Sequence, residues 1–391
     1  MLTQPYDKIS PSMQARYLAA SPHNLVRIIL GQTHADDNPT NNLYTRGAEY
    51  FQEWIRDGVL KQDAVPAFYA YFQDFRVPDS GELLTRQGFI GLGQVEDYSA
   101  QVVYRHEQTL SGPKKDRLEV LRHTRAHFGQ IFMLYPDQTS AVDDKLAQAT
   151  ADEPALDLID EYGARHRLWA ITDPDRIERI QKLMAPMKLL IADGHHRYET
   201  ALNYRDEHPD DRAAQNVMMT FVNMHSPGLK ILATHRVLRN LSFFKEADFL
   251  QHVRAPWAAE KTESAAALKE ALATPKAQII QIGLATKRSF WLLHRPRRTD
   301  EMDVTVLHHE ILHGWLGLSE ADVREEKHIH YVRGIDAALK DVDQGDSQIA
   351  FLLEPTPIDA MAKIAFDGGV MPQKSTDFYP KLLTGATIYK L

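Results

Sequence analysis

Cysteine is absent from the 391-residue chain, and so is any long apolar run. The first absence excludes disulfide bonds, thiolate catalysis and cysteine-ligated metal sites. The second argues against a transmembrane helix, because a bilayer span needs roughly 20 consecutive apolar residues. Residues 1–8 also lack a basic segment followed by an apolar stretch, so no signal peptide is predicted. We therefore expect a soluble cytoplasmic protein without a membrane partner.

An excess of positive charge is also lacking. The chain carries 53 acidic residues against 45 lysines and arginines, which gives a formal net charge of −8. Because neutralising nucleic-acid phosphates takes a basic face, this balance argues against a broad nucleic-acid interface. Hydrophobic residues make up 43% of the chain, and its length suffices for a large core divided between two domains.

Three common nucleotide-binding or catalytic motifs are missing. Lys374-Ser375-Thr376 resembles the end of a P-loop, but the residues before it lack the required glycine pattern. Gly91 and Gly93 lack the third glycine of a dinucleotide fingerprint. No G-x-S-x-G serine elbow occurs either. A nucleotide site, if present, must be built in another way.

What the sequence does contain is a junction between a strand and a helix at residues 189–207. Residues 189–192 suit a buried strand, Asp193-Gly194 suits a tight turn, and residues 198–207 are rich in helix formers. The first N–H groups of a helix lack internal partners and the helix dipole is positive there. Such a junction therefore stabilises a bound anion.

Two interpretations of this junction follow from its side chains. In the first, Gly194 lets the backbone approach a phosphate, and Arg197 adds a planar fork of donors. In the second, two histidines cap the helix and Arg197 pairs with Asp193 or with Glu199. Because turn dipeptides are common, the residue pattern alone favours the second interpretation.

Strands and helices alternate along the rest of the chain. Helices are predicted at 46–57, 117–128, 175–183, 245–253, 263–273, 304–316, 335–342 and 357–366. Strands are predicted at 67–75, 89–94, 130–134, 168–171, 217–223, 229–234, 277–282, 289–294, 349–353 and 386–390. This mixture predicts an α/β protein with mixed sheets, and a change in regularity suggests domains at 1–238 and 239–391.

A possible zinc motif lies in the second of these domains. His309-Glu310-x-x-His313 matches the H-E-x-x-H pattern on a segment predicted to be helical. His328 or His330 could supply a third ligand, and Glu310 could activate a zinc-bound water. Against this, the chain has 18 histidines, and the glycine of the extended metzincin pattern is missing. A zinc-dependent hydrolase is kept as an alternative function.

Blocks from end to end of the chain resemble one uncharacterised prokaryotic family, the domain-of-unknown-function family one-thousand-and-fifteen. These blocks are residues 5–10, 24–27, 85–90, 106–109, 112–118, 192–200, 222–224, 234–236, 371–376 and 378–381. The Asp-Gly-His-His-Arg run is in turn similar to the Gly-x-x-Arg signature of the ParB and sulfiredoxin superfold, where the arginine and the helix start hold a nucleotide phosphate. The resemblance implies a ParB/sulfiredoxin-like core in the first domain and a second α/β domain that closes the cleft.

For function, the resemblance implies a nucleotide-dependent phosphotransferase that acts on a small hydroxylated metabolite, such as a free amino acid. The residues expected to hold a phosphate of ATP or ADP are Asp193, Gly194, His195, His196 and Arg197, of which His196 and Arg197 are also assigned catalytic roles. Lys115 and Arg117 are expected to neutralise charge during the transfer. The alternative for that basic segment is a solvated loop.

Four further residues complete the expected site. Glu107 is the candidate carboxylate for deprotonating a hydroxyl or for holding Mg²⁺. Lys374 and Ser375, with Lys381, are expected to close over the phosphates, although a capped C-terminal turn explains them equally well. A ParB-like nucleotide switch or DNA-associated module is a further alternative, which the acidic balance disfavours.

Overall fold

The computed structural model describes residues 1–78, 80–107, 111–242, 244–274, 276–299 and 301–391, with the backbone alone at 111–114. By its internal contacts the chain divides into two compact units. The first unit comprises Met1–Arg105, Thr109–Lys230 and Pro380–Leu391, and the second comprises His106–Gln108 and Ile231–Tyr379. The division after Lys230 lies near the boundary predicted after residue 238, but the C-terminal residues belong to the first unit.

Eight strands of the first unit form one mixed sheet. Their spatial order is Val103–Tyr104, Leu189–Asp193, Ile131–Tyr135, Asn216–Asn223, Leu83–Gln94, Phe68–Arg76, Arg165–Ile171 and Leu156–Ile159. The first pair in this order is parallel, as is the pair of Ile131–Tyr135 with Asn216–Asn223, and the remaining pairs are antiparallel. The strand that carries the predicted junction therefore lies next to one edge of the sheet.

Local sequence explains where the helices of the first unit begin. Asn42 and Thr45 form a capping box at the start of an amphipathic helix that buries Phe51 and Trp54. The α-helices of this unit are Pro11–Ala20, Val26–Ile29, Leu43–Arg56, Ser111–Thr124, Ala141–Ala147, Pro174–Met184 and His195–Glu207, with 3₁₀ turns at Tyr6–Lys8 and Tyr98–Ala100.

The main core of the first unit joins the sheet to its helices. Phe89 and Met133 from the strands pack in one apolar cluster with Ile180 and Tyr198 from the helices, and all four are buried. Because Tyr198 lies in this cluster, the start of helix His195–Glu207 is fixed against the sheet.

The second unit is built around an antiparallel sheet of six strands. Their spatial order is Ala258–Thr262, Phe290–Pro296, Ile279–Ala285, Ile349–Leu352, Thr234–Leu238 and Ile329–Arg333. Its helices are Glu246–Leu250, Ala265–Leu272, Asp303–Val306, Leu307–Trp315, Glu320–Arg324, Ile335–Gln344 and Ile358–Phe366. A separate two-stranded ladder joins Lys230–Leu232 to Asp377–Tyr379. Nowhere in the described residues is a helix both long enough and apolar enough to cross a membrane.

The α/β class predicted from the sequence is confirmed, and so is the hairpin predicted near residues 277–294. Two helix predictions were wrong in detail. The helix predicted from Arg117 begins at Ser111, because a proline at position 113 is tolerated in a first helical turn, where N–H groups lack partners. The segment 304–316 is not one α-helix but Asp303–Val306 followed by the π-helix Leu307–Trp315.

The C-terminal residues complete the first unit through backbone pairing. Thr384 exchanges backbone hydrogen bonds with Thr3, and the Gly385 N–H donates to the Phe128 carbonyl at 3.1 Å. Tyr389–Lys390 then pairs antiparallel with Ala126–His127. These partners lie far earlier in the chain, so no local pattern in the sequence predicts the pairing.

Gly385 tests how closely this C-terminal segment packs. Its φ is +93°, and an added Cβ would lie 1.9 Å from Leu25 Cδ1 in the core. We expect Gly385→Ala to lower the free energy of unfolding by about 2–4 kcal/mol, because left-handed strain and overpacking add together. Urea denaturation at neutral pH measures the loss.

Gly163 provides the matched control. It has a similar φ of +82°, but an added Cβ would meet no atom within 4 Å. Gly163→Ala should therefore cost only the backbone term, about 1–2 kcal/mol. Equal losses at the two positions would contradict the packing argument.

Candidate functional site

The strand Leu189–Asp193 leads directly into helix His195–Glu207 through one residue, Gly194. Gly194 has φ 97° and ψ 28°, a left-handed conformation that favours glycine. The Tyr198 N–H donates to the Gly194 carbonyl at 2.9 Å, which closes the first helical turn. The predicted junction is thus present, with the helix beginning at His195 instead of Tyr198.

Arg197, in the first turn of this helix, is held on several sides. One nitrogen, Nη2, donates to Asp193 Oδ2 at 2.6 Å, and Nη1 donates to the Gln130 carbonyl. A Cβ at Gly194 would lie 3.0 Å from the guanidinium carbon, and one at Gly129 would lie 3.3 Å from Nη1. The two glycines therefore leave the space that the guanidinium fills.

Asp193 lies between two cations. Its Oδ1 accepts from Lys381 Nζ at 2.9 Å while Oδ2 accepts from Arg197, and the Lys381 side chain is only 9% exposed. Burial by itself raises the pKa of Asp193, but Lys381 and then Arg197 lower it well below the usual range. The carboxylate is therefore charged at neutral pH, and the three side chains together carry a positive excess.

A cavity of about 70 Å³ borders Arg197 within the first unit. Its polar walls are formed by Tyr6, Arg117, His127, Arg197, Thr200 and Thr384. Burial lowers the pKa of His127 to about 4, so this ring is neutral at pH 7. The positive charge of these walls therefore comes from the two guanidinium groups.

Arg117, the second of these arginines, is also fixed by its neighbours. It is 9% exposed, its guanidinium carbon lies 4.1 Å from the centre of the Tyr6 ring, and Nε donates to Asp116 Oδ2 at 2.9 Å. The Tyr44 hydroxyl donates to the other oxygen of Asp116 at 2.9 Å. Burial and this hydrogen bond raise the pKa of Tyr44 to about 12.

The remaining predicted residues of the first unit are His195, His196 and Lys115. His195 is 8% exposed, and the carbonyl of His196 accepts from Thr200 Oγ1 at 2.8 Å. Lys115 is exposed on helix Ser111–Thr124, and it is not among the described residues that line the cavity. The structure thus brings Arg117 to the cavity with Arg197 and leaves Lys115 outside its walls.

Glu107 and Ser375 meet in the second unit. Glu107 Oε1 accepts from the Ser375 N–H at 3.1 Å and from Thr376 Oγ1 at 3.5 Å. The same Thr376 hydroxyl lies 2.8 Å from Nε2 of His106, which is fully buried. The Ser375 hydroxyl donates to the Pro372 carbonyl at 2.6 Å. These hydrogen bonds hold the segment that contains Ser375 against Glu107.

Lys374 lies in the same segment, with φ +56° and an exposed side chain. Its carbonyl accepts from Arg236 Nη2 at 3.1 Å, and burial lowers the pKa of Arg236 to about 10. Gln108 and Thr109, in the family-like block 106–109, lie outside the described residues. The predicted site residues thus form two groups, one in each unit, and their binding and catalytic roles stay predictions.

The zinc motif lies on a π-helix, whereas the H-E-x-x-H pattern requires an α-helix. His309-Glu310-x-x-His313 lies on the π-helix Leu307–Trp315, whose i→i+5 bonds do not stack residues four apart as an α-helix does. Glu310 accepts from Arg295 Nη2 and from Trp257 Nε1, both at 2.7 Å. Among the described residues, no three histidine, aspartate or glutamate side chains are grouped to hold a metal ion.

Sequence reasoning missed Tyr6, Gly129 and Gln130, which contact the two arginines. Tyr6 lies in one of the family-like blocks, at residues 5–10, and that block was the available signal. Gly129 and Gln130 precede the strand Ile131–Tyr135, and nothing in their local pattern points to Arg197. Their role depends on strand neighbours, which a single sequence does not reveal.

Several solved structures resemble this fold weakly. A free serine kinase in complex with AMP is 11% identical, covers 74% of this chain and 86% of its own, and has a TM-score of 0.39. A conserved hypothetical protein from Pyrococcus furiosus is 12% identical, with coverages of 75% and 92% and a TM-score of 0.39. SbnI with a C-terminal truncation, from Staphylococcus aureus, is 11% identical, with coverages of 75% and 85% and a TM-score of 0.38. Likenesses at this level say nothing about the ligand of this chain.

Comparison with protein families is more decisive. No curated protein matches the chain significantly. The family described as "Protein of unknown function (DUF1015)" matches residues 1–311, which is most of the sequence. On that match, the chain belongs to the DUF1015 family.

Proposed function

We propose that the first unit binds the phosphate end of a nucleotide, ATP or ADP, in the cavity between Arg117 and Arg197. We further propose that the protein is a phosphotransferase that acts on a small hydroxylated metabolite. The observation that carries this proposal is that two largely buried arginines, from different helices, line one small cavity. Such a pair is a common arrangement for holding phosphate oxygens.

The charge balance of this group supports an anionic ligand. Buried cations are costly unless carboxylates or bound anions balance them. Asp116 pairs with Arg117, and Asp193 pairs with both Arg197 and Lys381. Among these pairs, two carboxylates face three cations. A ligand anion at the cavity would add negative charge beside Arg117 and Arg197.

The size of the cavity limits which part of a ligand enters it. The cavity measures about 70 Å³, whereas complete small-molecule sites typically measure about 300–1,000 Å³. On this measure, a cavity needs only about 10–15 Å³ to hold one water molecule. A phosphate group therefore fits, and the sugar and base of a nucleotide would lie outside the cavity.

The chemistry of phosphoryl transfer matches these residue types. The reaction depends chiefly on positioning and on positive charge around the transferring group. Arg117 and Arg197 would hold phosphate oxygens and stabilise that charge. Mg²⁺ prefers carboxylate and phosphate oxygens, so the cationic walls of the cavity do not fit a magnesium site. No step is therefore assigned to a metal at this position.

Ligand binding is expected to raise the melting temperature of the protein. Pyrophosphate, ADP, ATP and CTP, each with Mg²⁺, are the ligands to compare by thermal shift. A ligand at 100 times its dissociation constant stabilises the native state by about 2.7 kcal/mol. Arg197→Lys and Arg117→Lys keep the charge but lose the fork of donors. Each should weaken binding about 10- to 100-fold, the equivalent of one charged hydrogen bond.

Arg56→Lys is the matched control. Arg56 ends helix Leu43–Arg56 with 69% of its side chain exposed. Its substitution should leave every ligand shift unchanged. If none of the four ligands stabilises the wild type, or if all three variants respond as the wild type does, the phosphate-site proposal is wrong.

Phosphoryl transfer requires a separate measurement. We expect ADP release from ATP to increase when the correct hydroxylated acceptor is added, and a panel of hydroxy amino acids, sugars and polyols is the place to begin. Arg197→Lys should lower that stimulated rate at least tenfold, since it removes donors to the transferring group. Nucleotide binding with no stimulation by any acceptor would contradict the transferase assignment and favour a nucleotide-binding switch.

A further inference from the structure

Three charged side chains of the first unit form a chain of contacts that ends at the cavity. Lys381 Nζ lies 2.9 Å from Asp193 Oδ1, and Asp193 Oδ2 lies 2.6 Å from Arg197 Nη2. Their side-chain exposures are 9%, 21% and 16% in that order. Solvent therefore screens these contacts far less than it screens surface pairs.

Lys381 is held in place by the backbone of the C-terminal segment. The Pro380 carbonyl accepts from Arg86 Nη2 at 2.5 Å, and the Lys381 carbonyl accepts from the Gln73 amide at 3.0 Å. Arg86 and Gln73 are each 1% exposed and are joined by a hydrogen bond of 3.0 Å. The backbone that carries Lys381 is therefore held in place, and the ammonium group reaches Asp193 from a fixed position.

Charged and titratable groups from several elements face Asp193. They come from the C-terminal segment, helix His195–Glu207, the turn Tyr6–Lys8 and the strand Leu83–Gln94, and they are Lys381, Arg197, Lys8, Tyr6 and Arg86. Four of these five groups are cations. Their combined field opposes the effect of burial, which alone favours the neutral acid.

The carboxylate in turn fixes Arg197. Asp193 and the Gln130 carbonyl hold the two terminal nitrogens of the guanidinium, and a Cβ added at Gly129 or Gly194 would lie 3.3 Å or 3.0 Å from it. A side chain held this way loses little further freedom when a ligand binds, so pre-organisation increases affinity.

We propose that Asp193 and Lys381 are positioning residues for Arg197. The Asp193 carboxylate aligns the guanidinium with the cavity, and Lys381, delivered by the C-terminal segment, holds the other oxygen of that carboxylate. This inference rests on the proposed function, because it takes a phosphate as the ligand of the cavity. It makes the C-terminal segment part of the binding machinery, although Lys381 acts through Asp193.

The test is the dissociation constant of pyrophosphate, measured by calorimetry between pH 5 and pH 8. Pyrophosphate itself titrates in this range, so the informative quantity is the ratio of the variant constant to the wild-type constant at each pH. Lys381→Met removes the donor to Asp193 Oδ1 and should raise the dissociation constant about tenfold, because the carboxylate then holds the guanidinium less firmly. Arg197 and Lys8 still lower the pKa of Asp193, so the carboxylate stays charged and the ratio should not change between pH 8 and pH 5. In an Arg197→Lys background, which has no guanidinium to align, Lys381→Met should weaken binding by less than about twofold.

Two variants separate this effect from a merely structural one. Lys381→Arg keeps a charged donor for Asp193 and should give a ratio close to one. Gly129→Ala displaces the guanidinium by a few tenths of an ångström without changing any charge, since the new Cβ would lie 3.3 Å from Nη1. It should weaken binding by the same factor at every pH.

The outcomes distinguish the two proposals. Wild type that binds no pyrophosphate at any pH overturns the proposed function, and the positioning role with it. Wild type that binds, together with an unchanged dissociation constant for Lys381→Met or an equally large loss in the Arg197→Lys background, overturns the positioning role alone. If Lys381→Met does not fold, Asp193→Asn replaces it. This variant has a neutral side chain at position 193 and should bind pyrophosphate at least tenfold more weakly than the wild type at pH 8. Wild-type affinity at pH 8 would overturn the inference.

Discussion

The candidate site depends on the contacts that the Asp193 carboxylate makes. Asp193 ends the strand Leu189–Asp193, pairs with Arg197 across the turn, and receives Lys381 from the C-terminal segment. Removing one partner of a buried ion pair typically costs about 3–5 kcal/mol, yet replacing a whole ion cluster with apolar groups is often neutral or stabilising. Stability alone therefore does not explain why the fold contains this cluster. Under the proposed function, the positive excess beside the cavity is where the anion binds.

This cluster in turn depends on a second polar group inside the sheet. Arg86 is buried beside the Phe132 ring, at 4.7 Å, and donates to neutral oxygens of Gln73 and Pro380. Burial lowers the pKa of Arg86 to about 10, so the side chain remains charged at pH 7. The C-terminal segment thus satisfies donors that the sheet would otherwise bury at high cost. For this reason the position of Lys381 follows from the packing of the sheet.

The sequence predicted the features that are local. The strand, the left-handed Gly194 and the following helix each leave a pattern within a few residues, and all three are present. Strands Ala258–Thr262 and Ile329–Arg333 were not predicted, because their faces are mostly half-exposed or exposed and show no clear alternation. Pairing with neighbouring strands decides such elements. The contact between Tyr6 and Arg117 could not be predicted either, since it joins residues far apart in the chain.

Two short motifs in this chain show that a motif's chemistry depends on its partners. Glu310 of the zinc-like motif accepts from buried Arg295 and from Trp257, so both of its oxygens are already engaged and a role as base would require breaking those bonds. The two sequence interpretations of Arg197 were treated as alternatives, but they are compatible. A guanidinium has five N–H donors, and the bonds to Asp193 and Gln130 engage only its two terminal nitrogens. An internal partner that orients such a group prepares it for a ligand, whereas the partners of Glu310 occupy both of its oxygens.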